Sequence, residues 1–345
     1  MSERRDKAIV AAYKTGARVA QLIPRRALPA VEWLGGLVFL FFMRGRRSTV
    51  ARHLQRVQPG LHGKELKRMV RSSFRSYATY YIESFRLPAL PIEEVRAGLT
   101  HDGYEHLQAA IKSGSGFIMA MPHLGGWEWA GRWAADQGNR MAVVVEPLEP
   151  KELFEWFADL RTDLGMHVIP LGPDAAGATV KALKDNSVLC LLCDRDLQGN
   201  GVEVEFFGEK TTLPAGPATL ALRQGSPLAA VTVFYQPGGN HHGVIRPIAV
   251  ERQGSFRADV QRITIRGGEH RHRLDTEDAT RPQDPDGDPV TFELAQAPAG
   301  MTITPGGAIE WKFPTDPNGP KNFHVVLKVT DSKGGEATQT IELAR

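Results

Sequence analysis

Met121-Pro122-His123-Leu124-Gly125-Gly126-Trp127-Glu128 places an imidazole and a carboxylate five residues apart. On a continuous helix five residues turn through about 140°, so the two side chains would not share a face. They meet only if His123 lies in a turn and Glu128 in the first turn of the helix that follows, and Gly125 and Gly126 permit such a turn. The carboxylate can then accept a hydrogen bond from one ring nitrogen, fixing the tautomer and stabilising the imidazolium. The other nitrogen is left to take a proton from a hydroxyl. This pattern points to general-base catalysis.

Other reactive-looking residues carry less. Cys190 and Cys193 form a CxxC, but they fall in Ser187-Val188-Leu189-Cys190-Leu191-Leu192-Cys193, an apolar run that reads as a buried strand. Residues three apart on a strand face opposite ways, and no second CxxC or HxxxH completes a zinc site. They read as two structural thiols, in keeping with a reducing compartment. A Gly-x-Ser-x-Gly elbow is absent, so no serine is set up as a nucleophile. Gly114-Ser115-Gly116 lacks a following Gly-Lys-Ser/Thr and reads as a turn, not a phosphate loop. His241 and His242 fall in Gly238-Gly239-Asn240-His241-His242-Gly243, which reads as a solvent-exposed hairpin loop without a metal cluster.

The elements that must position His123 are legible as an α/β alternation from about residue 100 onward. Strands are expected at Gly116–Met121, Met141–Val145, His167–Pro170, Ser187–Cys193 and Leu228–Tyr235. Helices are expected at Gly126–Gln137, Lys151–Leu164, Ala175–Lys184 and Pro214–Gln224. The expected class is α/β, with a central mixed sheet flanked by helices, and α/β sheets bind ligands at the carboxyl ends of their strands, where His123 falls.

Residues 1–90 read as helices broken at Pro24, Pro29 and Pro59-Gly60, with core aromatics at Phe74, Tyr77, Tyr80, Tyr81 and Phe85. Residues 1–75 carry 17 Lys/Arg against 4 Asp/Glu, whereas residues 266–345 carry 9 against 13. A basic front end attracts polyanions. The apolar run from Val31 to Met43 ends in Arg44-Gly45-Arg46-Arg47, which favours an anionic membrane surface. That run of 13 residues is too short to span a bilayer comfortably, and it does not read as a secretory signal. No zinc-finger, RNA-recognition or helix-turn-helix signature appears, so nucleic acid is not an expected partner.

His-x4-Glu after a buried strand resembles the hallmark of the glycerolipid and lysophospholipid acyltransferase superfamily. The block from Asp194 to Glu209 (Asp-Arg-Asp-Leu-Gln-Gly-Asn-Gly-Val-Glu-Val-Glu-Phe-Phe-Gly-Glu), continued by Leu213 to Leu222, resembles the branch of bacterial lipid A biosynthesis acyltransferases. Within it the chain is most similar to phosphatidylinositol mannoside acyltransferases, over roughly residues 5–262. The resemblance implies acyl-CoA or an acyl carrier protein thioester as donor. It further implies a glycolipid acceptor, a peripheral place on the cytoplasmic face of the cell membrane, and no metal or other cofactor. His123 matches the base, and Glu128 stands where many members have Asp. Asp194 matches an acidic residue near the acceptor sugar and is a second candidate partner for His123. Arg161 and Arg195 match basic positions suited to phosphate or sugar oxygens. Glu146 and Trp127 are further substrate-contact candidates. Transfer would run without an acyl-enzyme, with amides at the helix start stabilising the oxyanion.

Residues 266–282 are polar, lack an apolar period and read as a linker. Beyond them turn signals recur about every ten residues, at Pro285-Asp286-Gly287, Pro305-Gly306-Gly307, Pro317-Asn318-Gly319 and Lys333-Gly334-Gly335. Between them lie alternating runs, which implies a small β-sandwich. Residues 283–345 resemble a bacterial immunoglobulin-like or cadherin-like domain, through Asp284-Pro285-Asp286-Gly287-Asp288, Gly306 to Trp311 and Val329 to Gly335. Asp284, Asp286, Asp288 and Asp331 are weak candidates for a structural calcium. The acyltransferase family continues with a further aromatic-rich helical segment, whereas its pattern here stops near Gln261–Thr264. The expectation is an acyltransferase domain at 1–265, a linker at 266–282 and a β-sandwich at 283–345. The rival is an impaired acyltransferase-like scaffold whose β-domain serves binding or adhesion.

Overall fold

The computed structural model describes residues 3–197, 199–267, 290–303, 309–310, 322–331 and 336–344. Two compact units divide the chain, Met1–His272 and Arg273–Arg345. The first unit is built on a seven-stranded sheet. Its strands are β1 (Leu99–Asp102), β2 (Phe117–Met121), β3 (Met141–Val145), β4 (Met166–Pro170), β5 (Val188–Leu192), β8 (Leu228–Gln236) and β9 (Asn240–Ile248), in the order β1-β9-β8-β2-β5-β3-β4. β8, β2, β5, β3 and β4 are mutually parallel, and β9 returns antiparallel to β8. A short hairpin, β6 (Val202–Phe206) and β7 (Glu209–Leu213), stands apart from the sheet.

The parallel strands are short apolar runs because both sheet faces are covered, and β2 is buried at all five positions. Alternation along β5 sends Cys190 into the core on one face and Cys193 into the core on the other, as the strand period requires. Both cysteines are buried, and neither is in a disulfide. The first face is covered by α6 (Tyr104–Lys112), α7 (Trp127–Asp136) and α8 (Lys151–Asp163). α9 (Ala175–Lys184), α10 (Gly216–Gln224) and a helix over 256–267, α11, cover the second.

The N-terminal segment folds as α1 (Glu3–Leu22), α2 (Leu28–Phe42), α3 (Arg44–Val57) and α4 (Gly63–Arg86), followed by the short α5 (Ile92–Ala97). α2 packs closely on α4 because Gly36 has no side chain. A Cβ there would stand 2.7 Å from Arg75 Cα. On α4, Tyr81 and Phe85 pack edge-on or tilted around Tyr13 of α1, at 6.4 and 6.3 Å between ring centres. The expected core role holds for Phe74 and Phe85, which are buried, while Tyr77 is exposed.

Several features depart from the sequence expectation. β1, α6, the β6–β7 hairpin, β9 and α11 are not among the expected elements. Gly238 and Gly239, both with positive φ, make the turn, so the strand begins at Asn240 and His241 is wholly buried instead of solvent-exposed. α11 runs two residues into the expected linker, and the rest of that linker lies outside the described residues. The second unit forms a three-stranded antiparallel sheet of β10 (Val290–Gln296), β13 (Asn322–Asp331) and β14 (Glu336–Ala344), beside the pair β11 (Thr302–Ile303) and β12 (Ile309–Glu310). Asp284, Asp286 and Asp288 lie outside the described residues. Among the described residues no group of three or more His, Cys, Asp or Glu is arranged to hold a metal.

Candidate active site

β2 and β5 are adjacent, parallel and in register, with Met121 opposite Leu192. The amide of Cys193 extends the ladder by donating to the Met121 carbonyl at 2.9 Å. His123 and Asp194 each lie two residues beyond that last pair, so the sheet register delivers them to one place. Asp194 Oδ1 lies 2.7 Å from His123 Nδ1, and the His123 backbone amide donates to Oδ2 at 3.1 Å. The carboxylate grips ring and backbone together and so fixes the ring's orientation. Accepting from Nδ1–H leaves the Nε2 lone pair as the basic site. No described residue hydrogen-bonds Nε2, and the His123 side chain is 49% exposed. Burial opposes ionisation of Asp194, yet the hydrogen bonds and charge of His123 hold its carboxyl below the usual range.

Asp194 is itself held from behind. Two residues on, Asp196 accepts from the amides of Gly199 (3.0 Å) and Gly201 (2.8 Å) and from the Thr212 hydroxyl (2.8 Å). These bonds tie the loop after β5 to the β6–β7 hairpin. Gly201 is required there, since a Cβ would stand 2.4 Å from the Leu213 carbonyl oxygen.

Glu128 does not face His123, contrary to the sequence expectation. It begins α7 on its buried side and its carboxylate is fully engaged. Oε1 accepts from Tyr80 (3.0 Å) and Arg161 (3.0 Å), and Oε2 accepts from Ser84 (3.1 Å). Burial raises the Glu128 pKa, against the opposing pull of Arg161 and the two hydroxyls. Arg161 likewise does not offer itself to solvent. It is spent on Glu128 and on the faces of Trp127 and Phe157, at 5.1 and 5.7 Å. Trp127 is buried with it. The physical reason is charge: a carboxylate carried into the core by α7 needs a cation brought in beside it. Arg195 and Glu146 remain exposed at the ends of β5 and β3, 4.0 Å apart. The predicted set therefore splits into an accessible His123–Asp194 pair, an exposed Arg195–Glu146 pair and an internal Glu128–Arg161–Trp127 node.

Tyr80 is expected only as a core aromatic, and Ser84 and Asp196 have no assigned part in the sequence expectation. Tyr80 and Ser84 are four apart on α4 and so share a face, a signal available in the sequence but masked by the surrounding aromatics. Beneath α7 lies a cavity of about 50 Å³ with an almost wholly apolar lining, including Met119, Met121, Trp127, Trp133, Met166 and Cys190. Met121 and Trp127, which flank the His123 turn, form part of its wall.

Away from the sheet, α2 exposes Trp33, Leu34, Val38, Phe41 and Phe42. Among the described residues no single helix is long and apolar enough to cross a membrane. The segments Arg25–Phe42 and Arg44–Val57 together have that length and composition but are bent by 104°.

Residues 4–266 match the family described as bacterial lipid A biosynthesis acyltransferase, and residues 246–344 match the bacterial Ig domain. The chain is similar to the phosphatidylinositol mannoside acyltransferase of Mycolicibacterium smegmatis, with 34% identity over 230 residues, covering 66% of this chain and 75% of that protein. It is also similar to the phosphatidylinositol mannoside acyltransferase of Mycobacterium tuberculosis, with 38% identity over 173 residues, covering 49% of this chain. The match spans 55% of the length of that second relative.

Proposed function

The chain belongs to the bacterial lipid A biosynthesis acyltransferase family and is an acyltransferase, and from that premise we propose that it acylates a sugar hydroxyl of phosphatidylinositol mannoside from a thioester donor, with His123 as general base. The observation that carries the reading is the 2.7 Å contact between His123 Nδ1 and Asp194 Oδ1, with the other ring edge open. In this reading Nε2 takes the proton as the acceptor oxygen attacks the thioester carbonyl. The C–O bond forms, the C–S bond breaks, and the proton passes from His123 to the departing thiolate. Asp194 stays ionised and stabilises the imidazolium in between. Amides in the first turn of α7, near Trp127, are the available donors for the oxyanion. No acyl-enzyme is invoked.

The donor is acyl-CoA or an acyl carrier protein thioester, and the apolar cavity beneath α7 supports a seat for the near end of its acyl chain. Its volume of about 50 Å³ is small, so a long chain requires the cavity to widen. Arg195 and Glu146 are the exposed candidates for acceptor phosphate and sugar oxygens. The exposed apolar face of α2, abutted by Arg44, Arg46 and Arg47, supports peripheral attachment to an anionic leaflet, here the cytoplasmic face of the cell membrane.

The test is transfer of labelled palmitoyl groups from palmitoyl-CoA to phosphatidylinositol mannoside in vesicles by the full chain. His123→Ala is expected to abolish transfer while remaining folded and vesicle-bound. Near-normal transfer by that variant would overturn the mechanism.

A further inference from the structure

A second histidine–carboxylate pair lies beneath α7, and the reaction above does not use it. His241 of β9 is wholly buried. Its Nε2 is 3.3 Å from Oε2 of Glu83 on α4, and its ring stacks on Trp129 of α7 with centres 4.6 Å apart and planes at 28°. The backbone is held as well, since the His241 amide donates to the Gly98 carbonyl at 2.7 Å.

The turn that carries His123 rests on this ring. A Cβ on Gly126 would stand 2.3 Å from His241 Nε2 and 2.4 Å from Cδ2. A Cβ on Gly125, whose φ is +60°, would stand 1.7 Å from the Val233 carbonyl oxygen of β8. Both glycines therefore press backbone directly onto the layer below, one onto β8 and one onto the imidazole. Glu83 also lines a cavity of about 10 Å³ together with Tyr80, Ser84, Gly126, Glu128 and Trp129. The support beneath the turn and the anchor of α7 thus meet at one small cavity.

We propose that His241, oriented by Glu83, is a positioning residue for acyl transfer, a rigid spacer that sets the depth of the Gly125–Gly126 turn and so the hold of Asp194 on His123. The inference rests on His123 being the base. Close-packed interiors transmit such displacements, and a misplacement of about 1 Å at a reacting group costs about a hundredfold in rate. Nε2–H donates to Glu83, which keeps the ring edge facing Gly126.

The experiment measures kcat, the KM values for palmitoyl-CoA and phosphatidylinositol mannoside, and Tm, on the full chain well below its Tm. His241→Ala lets the turn sink, and Gly126→Ala lifts it. Each is expected to lower kcat by roughly ten- to a hundredfold with both KM values little changed. In the double variant the methyl group added by Gly126→Ala occupies space the ring has vacated, and kcat is expected to recover by about tenfold over the worse single variant. Loss of mere stability would move Tm without this recovery. An unchanged kcat in His241→Ala, or a double variant no better than the worse single, overturns the proposal. Should His241→Ala fail to fold, Glu83→Ala and Glu83→Gln replace it. The amide oxygen of the second still accepts from Nε2–H, so it is expected to retain more kcat than Glu83→Ala, and equal losses overturn the proposal. Transfer surviving in His123→Ala overturns the base assignment and this inference with it. A dead His123→Ala beside a fully active His241→Ala overturns the inference alone.

Discussion

The ends of β2 and β5 and the layer beneath α7 each pair a carboxylate with a cationic or titratable partner, yet they are built for opposite ends. Asp194 and His123 stand at the surface, with side-chain exposures of 32% and 49%, where a proton can arrive and leave. Glu128 and Arg161 are sealed in, at 4% and 13%, with every carboxylate oxygen engaged. Access to solvent and an open ring nitrogen suit the first to the proposed proton transfer. Saturated hydrogen bonding and low polarity make the second an anchor, whose ionised form is stable only while its partner is present.

The comparison predicts that the two pairs fail differently. His123→Ala should lower transfer by about a thousandfold or more with Tm little changed, measured by kinetics and thermal denaturation. Asp194→Asn, which leaves an amide beside the ring, should cost about a hundredfold in kcat, again without a large fall in Tm. Glu128→Ala should instead destabilise the fold by about 3–5 kcal/mol, because Arg161 is left buried and unpaired, and denaturant titration reads this directly. If Glu128→Ala lowered kcat while sparing stability, the division of labour between the two pairs would be wrong. Ala130→Leu, which adds bulk to the wall of the apolar cavity, should lower kcat/KM for palmitoyl-CoA by about tenfold while sparing a short-chain donor. The smallest effect is expected at the rim. Arg195→Gln should change stability by no more than about 1 kcal/mol, since its contact with Glu146 is exposed, and should act on the acceptor KM instead.

Acidity separates the same two regions. The Asp194 carboxyl is held below its ordinary range, so its contribution to stability is fully present above about pH 4 and is lost as pH falls through the lower folded value. Glu128 has the opposite sign. Burial raises its pKa, so its ionised form costs stability at neutral pH, and that cost disappears as pH falls through the raised value. Acid titration of Asp194→Asn and Glu128→Gln against the parent chain should therefore move the stability curve in opposite directions. Parallel curves would contradict these assignments.

Much of the site was legible residue by residue. Asp194 came from the resemblance of the block that it begins, whereas His123 after a buried strand and the glycines that turn the chain are local patterns. So is the alternation that puts Cys190 and Cys193 on opposite sheet faces. The misreadings were of partnership. Glu128 is close to His123 in sequence, but α7 turns it toward α4 and α8. His241 looked like a loop residue because two glycines precede it, yet β1 and β8 flank its strand and bury it.

Composition, strand periodicity and motif spacing by themselves determined the α/β class of the first unit, the strand-rich second unit and His123 as a candidate base, while the family resemblance added Asp194 as a candidate. These follow from short stretches of chain, whose backbone geometry is set by neighbouring residues. Which acid reaches which histidine was decided only by tertiary structure. Pairing across β2 and β5 brings together residues 71 positions apart, and helix packing carries Glu128 away from a residue five positions distant. Sheet register and the cost of burying unpaired charge act through space, and nothing in local spacing encodes them.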